Sequence, residues 1–128
     1  MRWTRIGGAL LFVGVALGAF GAHGLEESLS PEMLEVWETG VQYHLVHGLG
    51  LVALGALEPR LRPRRVRAIG IALLLGVAIF SGSLYLLALT GLSWLGAITP
   101  LGGVAFLVAW ALLAFGRPRA ESKTGVDP

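Results

Sequence analysis

The chain has no cysteine. That excludes a disulfide, a thiolate metal site and an iron–sulfur cluster. Charge is also scarce: 14% of 128 residues are charged, against about 25% in a soluble domain. With 55% hydrophobic residues and a mean hydropathy of +0.73, a chain this short cannot cover itself with polar surface, so lipid is the expected solvent for much of it. The spacings of common catalytic sites are missing too: there is no Ser–His–Asp arrangement, HExxH, phosphate loop or DxD-type site. A net charge of +2 and a pI near 9.7 would suit nucleic acid. The basic residues, however, lie in short stretches between apolar runs and lack interleaved aromatics, so no nucleic-acid partner is expected.

What is present is four apolar runs in one domain. The first, Ile6 to Ala22, follows Arg2 and Arg5. A cleaved signal peptide fits it loosely, with small residues at Ala19 and Gly21, but the run exceeds the usual signal core of about 7–15 residues and three more runs follow. Gly14, Gly18 and Ala22 repeat every four residues, a stripe suited to close helix contact. The next stretch, Leu25 to Gly40, holds five glutamates and no Lys or Arg. Ser30-Pro31-Glu32 reads as a helix start: Ser as N-cap, Pro at the first position, an acid at the positive end of the dipole. A helix from there to Leu57 would be roughly 40 Å long and would outrun a hydrocarbon core of roughly 30 Å. The following loop, Glu58 to Arg67, has two prolines and five arginines. The third run is Ala68 to Leu89, with Ala72-Gly76 and Ala78-Gly82 as small pairs. A neutral link with Trp94 leads to Thr99-Pro100, read as N-cap and first helical residue, and to a fourth run ending at Phe115.

Basic and acidic or neutral connections alternate, which is the positive-inside pattern for four spans with both termini in the cytoplasm. The expected architecture is an all-α integral-membrane four-helix bundle, N-in/C-in. It occupies residues 1–116, with spans of about 20 residues at 5–24, 38–57, 68–89 and 99–116, helix 2 extended outward from 31, and a disordered cytoplasmic tail over 117–128. Gly8 to Ala16 and Gly70 to Ala78 share Gly-x5-Gly-Val-Ala. A duplicated hairpin would produce that echo, and so would chance in Gly/Ala/Leu-rich text.

The most polar run inside an apolar segment is Thr39 to Gly48. Counting about 20 residues back from Glu58 puts Glu38 at the outer boundary, His44 about 9 Å inside and His47 about 13 Å, near the midplane. At 100° per residue, Thr39, Gly40, Tyr43, His47 and Gly50 share one face, whereas Glu35, Glu38 and Gln42 form another. An imidazole at that depth is expected neutral, because charge there is disfavoured without a buried counter-charge. It needs a partner, and Ser81 is the foremost candidate. His23, Gln42, Tyr43, His44, His47, Ser81, Ser83, Tyr85 and Thr99 together form a candidate polar pocket in the outer half.

Four segments carry a resemblance: Gly18-Ala-Phe-Gly-Ala-His-Gly24, Trp37-Glu-Thr-Gly-Val-Gln-Tyr-His44, Phe80-Ser-Gly-Ser-Leu-Tyr85 and Ile98-Thr-Pro-Leu-Gly-Gly103. Their order and content resemble the bacterial YgdD/YwdK-type small membrane proteins, a family of unknown function, from Ile6 to Trp110. The resemblance implies a multi-pass protein of the bacterial inner membrane and brings no activity, cofactor or catalytic residue with it.

Three functions compete. The polar residues can be interhelical glue, each bond worth about 0.6 kcal/mol on average. This reading makes the chain a non-enzymatic structural or assembly component of the inner membrane that packs with other membrane components, as a homo-oligomer or in a larger membrane complex. They can instead line an outward-facing pocket around His44, His47 and Ser81 in a small oligomeric transporter or channel element. A metal site would take His44 and His47 at i, i+3 with His23 as a third ligand, but no carboxylate is forced nearby, and no metal or other cofactor is expected. The lipid bilayer is the expected partner, with anionic headgroups at Arg60, Arg62, Arg64, Arg65 and Arg67.

Overall fold

A computed structural model describes residues 1–118, so the outer ten residues of the expected tail lie outside the described region. The described chain is helical: α1 (Arg2–His23), α2 (Pro31–Leu57), a 3-10 turn (Glu58–Arg60), α3 (Pro63–Gly76), a π turn (Val77–Ser81), α4 (Gly82–Thr90) and α5 (Leu95–Phe115). With α3, the π turn and α4 continuous, four helices are long and apolar enough to cross a membrane: Arg2–His23, Pro31–Arg60, Pro63–Thr90 and Leu95–Phe115.

The start of α2 follows its sequence. The Met33 N–H donates to the Ser30 hydroxyl at 3.2 Å, and Pro31 stands in the first turn. Two other starts do not follow the expectation. The third span begins at Pro63, so Arg64, Arg65 and Arg67 belong to the first turns of α3; proline at a first position costs no helical hydrogen bond. The fourth begins at Leu95, so Thr99 is not an N-cap and Pro100 lies inside the helix. There the chain is wound by i→i+3 bonds from Leu92, Ser93 and Trp94 to Leu95, Gly96 and Ala97. Pro100 withholds a hydrogen bond only near the helix end, and the Thr99 hydroxyl lies back over the Leu95 carbonyl at 3.3 Å.

Two hairpins, α1–α2 and α3/α4–α5, pack so that α2 and α3/α4 are central and α1 and α5 are outer helices. Lipid tails give little hydrophobic drive between helices, so close approach must supply the packing. It comes from glycines. Gly7, Gly14 and Gly21, seven residues apart, are buried against α2. A Cβ on Gly7 would lie 2.7 Å from the Gly48 carbonyl oxygen, and one on Gly14 would lie 2.8 Å from Leu45 Cδ2. The expected four-residue stripe is partly right: Gly14 and Gly18 meet α2, but Ala22 is exposed. Elsewhere an aromatic ring fills the space that a glycine leaves: Trp3 on Gly70, Tyr85 on Gly40, Phe106 on Gly76 and Trp110 on Gly50.

Two apolar cores result. One includes Trp3, Leu51, Leu54, Ile69, Leu73 and Phe106; the other has Leu25, Trp37, Val41 and Ala88. Large side chains such as Phe12, Val15, Leu101 and Leu107 remain exposed on α1 and α5, where lipid covers them. The N-terminal amine pairs with Glu58 at 3.2 Å, and Gly116 packs on Arg65. The N-terminus, the 58–62 turn and the end of α5 therefore share one end of the bundle. Eight described arginines lie at that end and five glutamates lie at the other.

Candidate functional site

Between the two cores lies a polar layer. His44 and His47 are 4% and 5% exposed, Ser83 is buried and Ser81 is fully buried. The two histidines face different neighbours, as their i, i+3 offset allows. His44 Nδ1 meets the Tyr85 hydroxyl at 3.0 Å, and its ring edge lies over Gly14 of α1. When Nδ1 accepts the Tyr85 O–H, the neutral ring carries its proton on Nε2. Among the described residues that nitrogen is buried without a hydrogen bond; the Leu10 carbonyl faces the ring, but not in hydrogen-bond geometry.

His47 points toward α5. Its ring stacks on Phe106 at a centroid distance of 3.4 Å and an interplanar angle of 10°. Its Nδ1–H donates to the Tyr43 carbonyl one turn back, at 2.7 Å. The partner expected for it, Ser81, is engaged elsewhere, donating to the Gly40 carbonyl at 2.7 Å. The reason is geometric: Gly40 has no side chain, so the third span comes close enough to α2 for a short hydroxyl to reach backbone.

Ser83 lies two residues on and faces the other way, because successive helical residues turn by about 100°. It bonds the Phe80 carbonyl at 2.9 Å and the Thr99 hydroxyl of α5 at 2.7 Å. Ser81 thus ties the third span to α2, and Ser83 ties it to α5. The π turn that ends at Ser81 has no signal in the sequence. It lies where the Phe80 backbone meets Gly102, whose Cβ would stand 2.7 Å from Phe80 Cβ. A π turn is a frequent companion of such close or functional contacts.

The rest of the expected pocket does not gather here. His23 is exposed at the end of α1, so it cannot complete a three-histidine site. Among the described residues, no group of three or more His, Asp or Glu side chains comes together as a metal cage. Gln42 is exposed and lies with Glu38 along a groove over Gly18 and Ala22. Tyr43 is on the expected side of α2 but 40% exposed, packed on Phe80 at 4.3 Å. Trp37, absent from the expected pocket, donates its indole N–H to the Leu17 carbonyl at 3.0 Å and packs on Tyr85. A buried Trp needs such a partner, and its position opposite Gly21 was the available signal.

These features define a class: a four-span helical membrane protein whose bundle is closed by glycine contacts and by side chains bonding to backbone. Comparison with known proteins makes this specific. Residues 17–103 match the family described as "Protein of unknown function (DUF423)". The UPF0382 membrane protein YwdK of Bacillus subtilis is 52% identical over 106 residues, 82% of this chain and 85% of that protein. The UPF0382 inner membrane protein YgdD of Escherichia coli K12 is 39% identical over 112 residues, 88% of this chain and 86% of YgdD. No solved structure matches. The chain belongs to this family of bacterial membrane proteins and is a multi-pass protein of the inner membrane.

Proposed function

We propose that the chain is a non-enzymatic structural or assembly component of the inner membrane, working through packing against other membrane components. The carrying observation is where the inward polar groups spend their hydrogen bonds. Ser81, His47 and Ser83 each bond backbone carbonyls of the bundle itself, and Ser83 also bonds Thr99. The described surface grooves are lined by other residues. Side chains so used hold helices rather than solvate a cargo. Affinity purification from native membrane tests this reading: a stable stoichiometric membrane partner is expected, and isolation of the chain alone under conditions that preserve known complexes would refute it.

A second reading, a small oligomeric transporter or channel element, draws on His44 Nε2, buried and unpaired among the described residues, since an unsatisfied N–H in a bundle interior invites a solute that accepts its hydrogen bond. Flux through liposomes that is abolished by His44→Leu would favour it. We infer further that both termini face the cytoplasm, because the arginines collect at the end that holds them. Arg60, Arg62, Arg64, Arg65 and Arg67 then meet the anionic headgroups of that leaflet.

A further inference from the structure

At the basic end a groove of about 370 Å³ runs between α3 and α5, lined by Arg65, Val108, Ala111, Leu112, Phe115 and Gly116. Arg65 is its single charged residue. Its Nη1 is buried and makes no hydrogen bond among the described residues. The guanidinium lies against Gly116, where any Cβ would collide with it. A guanidinium nitrogen removed from water without a partner is costly, and the described protein offers no carboxylate: Glu58, the described acid at this end, is paired with the N-terminal amine. The walls are apolar, and Val108, Leu112 and Phe115 are exposed to the lipid side.

We propose that this groove binds one anionic phospholipid, with a phosphodiester oxygen pair on Arg65 and an acyl chain along Val108, Leu112 and Phe115. The planar fork of a guanidinium matches two phosphate oxygens. The start of α3 adds to the attraction through its positive dipole alone: Arg62, its N-cap, supplies no side-chain cap, but Pro63 has no N–H and the Arg65 N–H is already bonded to the Arg62 carbonyl. Depth agrees as well, since Arg65 stands in the first turn of its span and Phe115 ends the fourth. The site rests on the reading that these arginines lie in a headgroup layer, but not on which leaflet that is.

The test reconstitutes the full chain in vesicles of equal parts phosphatidylcholine and phosphatidylglycerol, extracts it in mild detergent and counts retained lipids by native mass spectrometry. One phosphatidylglycerol per chain is expected. Arg65→Gln and Ala111→Phe, which fills the groove without touching charge, should each lower its retention about tenfold. Arg67→Gln, an exposed arginine outside the groove, should change it less than about twofold. Should Arg65→Gln fail to fold, Ala111→Phe carries the test alone. Equal losses from Arg65→Gln and Arg67→Gln would reveal a diffuse positive surface and overturn the site. A phosphatidylglycerol preference that survives Ala111→Phe would also remove the groove while leaving the headgroup reading in place. No preference in the unaltered chain would remove that reading itself.

Discussion

Gly7→Ala and Gly8→Ala form a matched pair on neighbouring residues of α1. The added methyl is the same, and so is the local gain in helix propensity, up to about 1 kcal/mol for Gly→Ala in an exposed helix. The surroundings differ. At Gly8 nothing lies within 4 Å of the new carbon. At Gly7 it falls 2.7 Å from the Gly48 carbonyl oxygen and 2.8 Å from the Val52 nitrogen. Both are backbone atoms of α2, so no rotamer change relieves the clash and the two helices must separate. Overpacking of that kind costs about 1–3 kcal/mol, sometimes more, so the clash outweighs the propensity gain. Gly8→Ala should be neutral or slightly stabilising, and Gly7→Ala should be about 1–3 kcal/mol less stable than Gly8→Ala, because the propensity gain is common to both. Reversible unfolding in mixed detergent micelles measures both. A Gly7→Ala variant as stable as Gly8→Ala would show that α1 and α2 do not meet at Gly7–Gly48, and the glycine account of the bundle would fail with it.

Other outcomes follow from the same contacts. Gly14→Leu should lower the melting temperature in detergent, because its side chain would displace Leu45 and His44, while Leu107→Ile on the exposed face should leave melting unchanged. Ser81→Ala should cost about 0.6 kcal/mol, the usual worth of one interhelical bond in such bundles, and a loss several times larger would mean that Ser81 does more than tie the third span to Gly40. His47→Phe should keep the stack on Phe106 and retain stability, since the Tyr43 carbonyl that the ring bonds is also a helix-backbone acceptor; a retained fold with a lost growth phenotype would move His47 from structure to function. Reporter fusions at Glu27, Arg62, Ser93 and the C-terminus should give cytoplasmic activity only at Arg62 and the C-terminus, and activity at Glu27 or Ser93 would refute the N-in/C-in orientation.

The number of spans and the start of α2 are legible because they rest on local chemistry. Hydropathy marks lipid exposure residue by residue, and Ser30-Pro31 caps whatever follows it. The start of the fourth span is misleading at Thr99-Pro100 because the same local chemistry has two outcomes. An i→i+3 winding from Leu92 lets the helix begin a turn earlier, and sequence does not reveal it. The candidate pocket is legible by depth and not by direction. His44, His47, Ser81 and Ser83 are all inside, yet the pairing of His47 with Ser81 fails because a backbone carbonyl, Gly40, competes for the serine. Periodicity ranks side chains against each other and is blind to backbone acceptors exposed by glycine. The shared Gly-x5-Gly-Val-Ala is similarly half matched: Gly14 and Gly76 each sit where the first helix of a hairpin meets the second, but Gly8 faces open space and Gly70 holds Trp3.

Glycine therefore has two roles here, and both follow from lipid being the solvent. Apolar burial cannot distinguish a neighbouring helix from a lipid tail, so association has to come from contact density and from hydrogen bonds. A glycine on α2 raises contact density by admitting a ring or a backbone from the next helix. The same missing side chain uncovers a carbonyl whose second lone pair is unused by the helix, and a hydroxyl can then bond it without breaking the i→i−4 ladder. Gly40 does both: Tyr85 fills the space beside it and Ser81 bonds its oxygen. Polar side chains at this depth can thus be satisfied without water, an ion or another side chain. His44 is the exception, because Gly14 admits its ring edge but, among the described residues, Nε2 has only the Leu10 carbonyl facing it, outside hydrogen-bond geometry. The functional question consequently narrows to that nitrogen, and Tyr85→Phe separates its two answers. If the His44–Tyr85 pair is only a tie between α2 and α4, the variant loses stability and nothing else. If the Nε2–H bonds a solute or hands on its proton, the variant changes flux or growth at unchanged fold, because the hydroxyl that sets which ring nitrogen carries the proton is gone.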